Sequence, residues 1–143
     1  MPLEIRRPRD AAELGAARDL RLRVFCEEQG VARYEEVDGR DAAAVHLVAV
    51  QDGAVLGTCR LVRAGDAALF GRLAVDAAER RRGLGRELLL AAEDAARDEG
   101  ARIIRLHAQV YTRDLYARAG YEDRGLPFVE AGIEHVEMEK PLA

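Results

Sequence analysis

The chain has almost no cysteine: among 143 residues there are two, Cys26 and Cys59, with no CxxC pair and no histidine at ligand spacing. That excludes a zinc module, a dithiol redox motif and a disulfide-stapled scaffold, and both thiols are expected reduced and buried. No apolar run approaches the roughly 18 residues of a membrane-spanning helix. The opening Met1-Pro2-Leu3-Glu4-Ile5-Arg6-Arg7 lacks the apolar core of a secretion signal, so a cytoplasmic location is expected. Basic charge is not in excess either. Lys plus Arg number 22 against 26 Asp plus Glu, a net charge of -4, too acidic for a protein that coats nucleic acid or an anionic membrane. Any polyanion must be bound locally. Linkers rich in Pro or Ser and internal repeats are missing too, which leaves one domain over residues 1–143 as the expectation.

Patterning supplies the elements. Leu3–Arg6 reads as a short edge strand, and Asp10 is placed to cap a helix, with Glu13 as the acidic half of a capping box. Leu14, Ala17, Leu20 and Val24 recur at helical steps, and Gly30 is the stop. The polar segment Val31–Asp41 reads as a loop or a short second helix. Val45–Gln51 is apolar on both faces, hence a strand buried on two sides. Asp52-Gly53 supplies the two positive-φ positions of a tight hairpin, Val55–Arg63 returns antiparallel, and Ala67–Val75 completes a meander after Gly65-Asp66.

Beyond Asp76 the pattern changes. A charged loop, Ala77–Arg82, runs into Gly83-Leu84-Gly85 and a helix carrying Leu84, Leu88, Ala91 and Ala95 on one face, stopped by Gly100. Ile103–Gln109 is the next strand, so strand, helix and strand make a right-handed parallel crossover joined to the meander. Thr112–Ala119 is a short helix, and strands near Tyr121–Leu126 and Ile133–Glu139 close the chain. The fold class is α/β with a mixed sheet.

The loop Arg80-Arg81-Arg82-Gly83-Leu84-Gly85-Arg86 sits where a strand hands over to a helix. Backbone N–H groups and the positive end of the helix dipole converge there, and glycines at 83 and 85 let a phosphate approach without Cβ obstruction. The Gly-Lys-Ser/Thr of a P-loop is absent, and the dinucleotide fingerprint would need a third small residue where Leu88 stands. The segment resembles the Arg/Gln-x-x-Gly-x-Gly/Ala pyrophosphate loop of the GCN5-related N-acetyltransferases. Leu115-Tyr116-Ala117-Arg118-Ala119-Gly120-Tyr121 is similar to that superfamily's second signature. A narrower likeness, to the ElaA-like branch, lies in Leu22-Arg23-Val24-Phe25, Glu28-Gln29, Asp38-Gly39 and Glu130–Met138.

The resemblance implies a mixed, mostly antiparallel sheet with a central splayed parallel pair and flanking helices. It implies acetyl-CoA as co-substrate, with pantetheine along Leu73, Ala74 and Val75, the pyrophosphate on the amides of Arg81–Arg86, and no metal. Arg80, Arg82 and Leu84 belong to the same loop. Tyr116 matches the tyrosine that protonates the departing thiolate, with Tyr111 as deputy. The acceptor would be a primary amine on a small molecule or peptide. An amine of pKa about 10.4 is neutral in only about one molecule in 2,500 at pH 7, a handicap of about 4.6 kcal/mol, so the site must help remove its proton. The glutamate that some relatives carry on the third meander strand has no counterpart in Leu69–Val75, where Arg72 is the only charge. Glu36, Asp38, Glu130, His135 and water are the alternatives for the base. A non-catalytic acyl-CoA sensor is the rival reading, and a monomer or homodimer is expected.

Overall fold

The computed structural model describes residues 2–142. Strand β1 (Glu4–Arg6) leads into helix α1 (Ala11–Arg21), whose cap is Asp10: its carboxylate accepts from the Glu13 amide at 2.9 Å. The reciprocal bond falls one residue early, because the Glu13 carboxylate accepts from the Arg9 amide at 2.8 Å. The helix does not stop at Arg21 but widens into a π-helical stretch over Leu22–Glu28, closed by Gly30 at φ 74. A short α2 (Arg33–Glu36) follows, then the meander β2 (Val45–Gln51), β3 (Ala54–Ala64) and β4 (Ala67–Val75). Asp52 and Gly53 both have positive φ, as the hairpin requires. Helix α3 (Leu84–Asp98) crosses over to β5 (Ile103–Gln109), and α4 (Arg113–Arg118), β6 (Glu122–Asp123), β7 (Phe128–Glu130) and β8 (Ile133–Pro141) complete the chain.

The eight strands form one sheet in the order β1-β2-β3-β4-β5-β8-β6, with β7 hydrogen-bonded to β8. All neighbours are antiparallel except β4 and β5, which are parallel. The two faces of the sheet differ. One buries Leu47, Cys59, Leu61, Phe70, Ile104, Leu106, Val136 and Met138 against α3, whose inward stripe is Leu84, Leu88, Leu89, Ala92 and Ala96. That stripe is rotated from the expected one: Ala91 and Ala95 are only half-buried. Burying a leucine such as Leu88 stabilises the fold by about 1.5–3 kcal/mol. Gly57 on β3 lets the helix come this close, since a Cβ there would stand 2.9 Å from Leu88 Cδ1. The other face is covered by α1 and the π-helical stretch only over β2–β4, through Ala17, Leu20, Val24, Val48, Val50 and Ala74.

Two irregularities open the middle of the sheet. The parallel pairing of β4 with β5 lasts only from Ala67↔Ile103 to Phe70↔Leu106, although β4 continues beside β3 to Val75↔Gly57 and β5 beside β8 to Gln109↔His135. Just past Phe70, β4 bulges: Thr58 faces Ala74 and Arg60 faces Gly71, so Cys59 alone opposes Arg72 and Leu73. Arg72 absorbs the extra residue with a φ of 54. The expected splayed pair is thus present.

At the C-terminal end the strand expected near Tyr121–Leu126 is only two residues long, and Phe128–Glu130 forms a strand that the sequence reading did not include. It turns into β8 through Ala131 and Gly132, both at positive φ. Cys59 is buried and Cys26 half-buried; both are free thiols. Among the described residues no helix is long and apolar enough to cross a membrane.

Candidate active site

The loop before α3 is built by local turns. The Asp76 carboxylate accepts from the Ala78 amide at 3.0 Å and starts a short 3-10 turn, Ala77–Glu79. Arg81 and Gly83 then adopt left-handed φ values of 68 and 81, and α3 begins at Leu84. The amides of its first turn have no carbonyl a turn earlier to bond, so they point outward as donors. The two glycines serve different ends. Gly83 has no atom within 4 Å of a notional Cβ and is needed for its φ. A Cβ on Gly85 would make ordinary contact, 3.7 Å from Leu73 Cδ2 and Leu115 Cδ2, so its bareness matters only to something approaching the backbone.

The arginines divide likewise. Arg80 is a strut, its Nε donating to the Val75 carbonyl at 3.1 Å and its Nη2 pairing with Glu28 at 2.7 Å. Arg82 pairs with Glu79. Arg81 and Arg86 are exposed and have no ion pair among the described residues. Leu73 in the bulge and Ala74 and Val75 after it have no β5 partner, so their backbone edge faces the gap.

Tyr116 approaches that gap from the α3 side. Its ring stands edge-on to Phe70 at 6.3 Å, the last β4 residue still paired with β5, and edge-on to Tyr121 at 6.1 Å. Only 7% of it is exposed. Its hydroxyl has no hydrogen-bond partner among the described residues, yet no buried side-chain nitrogen or oxygen among them is left unpartnered. The hydroxyl therefore touches open space. Burial pushes the phenol pKa up, so it stays protonated at neutral pH. Behind it, Tyr121 donates to Glu93 at 2.9 Å, and Glu93 is neutralised by Lys140 at 3.1 Å. Tyr111 is exposed, with the Gln29 amide 3.5 Å from its hydroxyl.

On the opposite face lies a cleft of about 580 Å³, where α1 no longer covers the sheet. Because Leu106 and Ala108 on β5 and Val136 and Met138 on β8 point into the core, Arg105, His107, Gln109, His135 and Glu137 point into the cleft. One wall is α2 and the loop after it; the other is the β7–β8 hairpin.

Most of the charge around this cleft is already paired. Arg21, 1% exposed, donates to both oxygens of Glu36 at 2.9 and 3.0 Å and to Asp41 at 2.9 Å. Arg60 holds Asp38 at 2.7 and 2.9 Å and Asp41 at 3.0 Å, and Arg72 bridges Glu36 and Asp38. The Arg60 guanidinium, aided by the Arg40 amide and the Arg72 charge, holds the Asp38 carboxyl far below the usual range. Two of the proposed bases, Glu36 and Asp38, are thus committed to a buried ionic cluster. Glu130 lies 3.1 Å from His107 Nδ1, and Glu137 3.5 Å from His107 Nε2. His135 is 7% exposed, its Nδ1 2.7 Å from the Ile133 carbonyl.

Of this cluster, Arg21, Arg60 and Asp41 were not singled out from the sequence, and Arg72 only as the one charge on its strand. A signal existed: Arg60 is the only charge in the strand from Leu56 to Val62, and a charge there demands partners. Among the described residues no group of three or more His, Cys, Asp or Glu is placed to hold a metal ion.

An open parallel pair with a donor loop on one side and a polar cleft on the other defines a class of transferase, and a sequence profile of the acetyltransferase (GNAT) domain matches residues 13–142. The chain belongs to the GNAT acetyltransferases. It is 37% identical over 139 residues to a UPF0039 protein of Mycobacterium tuberculosis, covering 92% of this chain and 86% of that one. The crystal structure of an acyl-CoA N-acyltransferase from Pseudomonas aeruginosa superposes with a TM-score of 0.85 at 31% identity, over 98% of this chain and 99% of that one. ElaA of Escherichia coli has the same fold, with a TM-score of 0.86 at 20% identity over 98% and 99% of the chains.

Proposed function

We propose that this protein moves an acetyl group from acetyl-CoA directly to a primary amine, on a small molecule or a peptide, without an acyl-enzyme intermediate. The observation that carries the reading is the gap beyond Phe70↔Leu106, with the amide loop and Tyr116 on one face of the sheet and the cleft on the other. The amides of residues 81–86, with the Arg81 and Arg86 guanidinium groups, hold the pyrophosphate. The bare β4 edge at Leu73–Val75 takes the pantetheine as an extra strand would pair, and Arg80 must yield the Val75 carbonyl if that group is used. A thioester lying in the gap is then open to attack from the cleft.

Tyr116 gives its proton to the departing sulfur. The dry surroundings that raise the phenol pKa raise the basicity of a thiolate in the same place, so the transfer is not opposed. The reaction suits the cytoplasm and needs neither nucleic acid nor membrane; a monomer contains every group named, and a homodimer is compatible.

The test is thiol release from acetyl-CoA with purified protein and a panel of amines. Release that requires an acceptor, and that slows by about 100-fold in Tyr116→Phe while acetyl-CoA binding is kept, supports the reading. Tight coenzyme binding with no amine-dependent release would leave a sensor of acyl-CoA instead.

A further inference from the structure

We infer that His135 is the residue that takes the proton from the acceptor's ammonium group, through Nε2. The assignment rests on the acetyltransferase reading. His135 sits opposite Gln109 at the end of the β5–β8 ladder, on the cleft face, one strand removed from the gap between β4 and β5.

The tautomer follows from one hydrogen bond. Nδ1 is 2.7 Å from the Ile133 carbonyl, which can only accept, so Nδ1 carries the hydrogen and the neutral ring bears its lone pair on Nε2. Nε2 has no hydrogen-bond partner among the described residues. Since no buried side-chain nitrogen or oxygen among them is unpartnered, Nε2 reaches the open space of the cleft. The ring is held in place by stacking on Phe128, with centroids 6.0 Å apart and planes inclined by 24°.

The other bases are engaged or remote in character. Glu36 and Asp38 are locked to arginines, Glu130 and Glu137 flank His107, and Glu35 stands exposed on α2 at the cleft's edge. The charged or titratable groups that share the cleft with the His135 ring are His107 and Arg105 on β5, Glu137 on β8, Glu130 on β7 and Arg72 on β4, and, from the opposite wall, Tyr34, Glu35, Glu36, Asp38, Arg40 and Arg60.

The step balances as follows. The ammonium gives one proton to Nε2, and the freed nitrogen pair forms the C–N bond to the thioester carbonyl carbon. The C–S bond breaks and its electron pair takes the Tyr116 proton. The second nitrogen proton leaves as the amide forms and restores the phenol, while His135 releases its own to solvent. One proton ends on the coenzyme thiol and one in water.

The experiment compares wild type with His135→Asn and His135→Gln in amine-dependent thiol release between pH 6 and 10, with acetyl-CoA affinity measured alongside. Both variants should lose about 100-fold in turnover at pH 7 with affinity kept. Their rates should then climb about tenfold per pH unit toward the amine pKa near 10.4, while the wild-type rate rises less steeply because it does not depend on an acceptor that arrives already neutral. Wild-type turnover with an unchanged profile in either variant overturns the assignment.

A second readout does not depend on turnover. The ¹⁵N resonances of the wild-type ring should show Nδ1 protonated and Nε2 bare at high pH, and the reverse tautomer overturns the assignment whatever the activity. Wild type inactive toward every amine, with coenzyme bound, would defeat the acetyltransferase reading instead.

Discussion

The two faces of the central sheet are held together by different physics. The α3 face is an apolar core in which Leu88, Leu89, Ala92 and Ile104 are fully buried and the polar exceptions, Glu93, Tyr121 and Lys140, satisfy one another. The α1–α2 face near the cleft is held by three arginines and three carboxylates drawn from α1, α2, the loop after it, β3 and β4. Hydrophobic packing tolerates substitution of one apolar shape by another, whereas an ionic cluster is intolerant of losing a single member. The difference teaches why the side proposed for coenzyme reads as a local motif while the side proposed for the acceptor depends on a distributed frame.

Breaking that frame should have the largest effect. Arg21→Ala leaves the buried Glu36 with Arg72 alone, and a loss of about 3–5 kcal/mol is expected in a urea titration. A loss under about 1 kcal/mol would show that the cluster is dispensable to the fold. On the apolar face, Gly57→Ala pushes a Cβ into Leu88 Cδ1 at 2.9 Å, within a packed core that cannot simply yield. About 1–3 kcal/mol of destabilisation should follow in the same titration.

The donor loop sharpens the contrast on a finer scale. Gly83→Ala forces a side chain into a φ of 81 and should cost about 1–2 kcal/mol. Gly85→Ala should leave the melting temperature unchanged or raised, since alanine is the better helix former, yet weaken acetyl-CoA binding measured by calorimetry. Equal coenzyme affinity in Gly85→Ala and wild type would remove the backbone approach assigned to it.

Acid should find the ionic face first. Arg60 holds the folded Asp38 below its unfolded pKa near 3.9, and Asp41, although burial opposes its charge, is lowered by Arg21 and Arg60. Their stabilising contribution is therefore complete above about pH 5 and is lost as pH falls through and below 4. The urea midpoint should drop over that range, and Asp38→Asn should flatten the drop. An equally steep acid limb in the variant would assign it elsewhere.

Legibility in the sequence follows the same division. The loop from Arg80 to Arg86 and the Leu115-Tyr116 signature are contiguous, so the roles proposed for them could be framed from chain neighbours alone. The meander was legible because Asp52-Gly53 and Gly65-Asp66 are strong turn signals between apolar runs. The cluster was not, because Arg21, Glu36, Asp41, Arg60 and Arg72 are brought together only by tertiary packing. Strand β7 was missed because Phe128-Val129-Glu130 is short and follows Gly125 and Pro127, although Gly132 before Ile133 was a hairpin signal. The free Nε2 of His135 depends on a backbone carbonyl two residues away, a contact that exists only in the folded chain.

The central claim, that coenzyme enters from the α3 side and acceptor from the cleft, is tested most directly by amide chemical-shift mapping as coenzyme A is added. Perturbations centred on Leu73–Val75 and on Arg81–Arg86, with Arg105 and Glu137 across the sheet little moved, are the predicted result. No response at millimolar coenzyme, or one confined to the cleft walls, would contradict it.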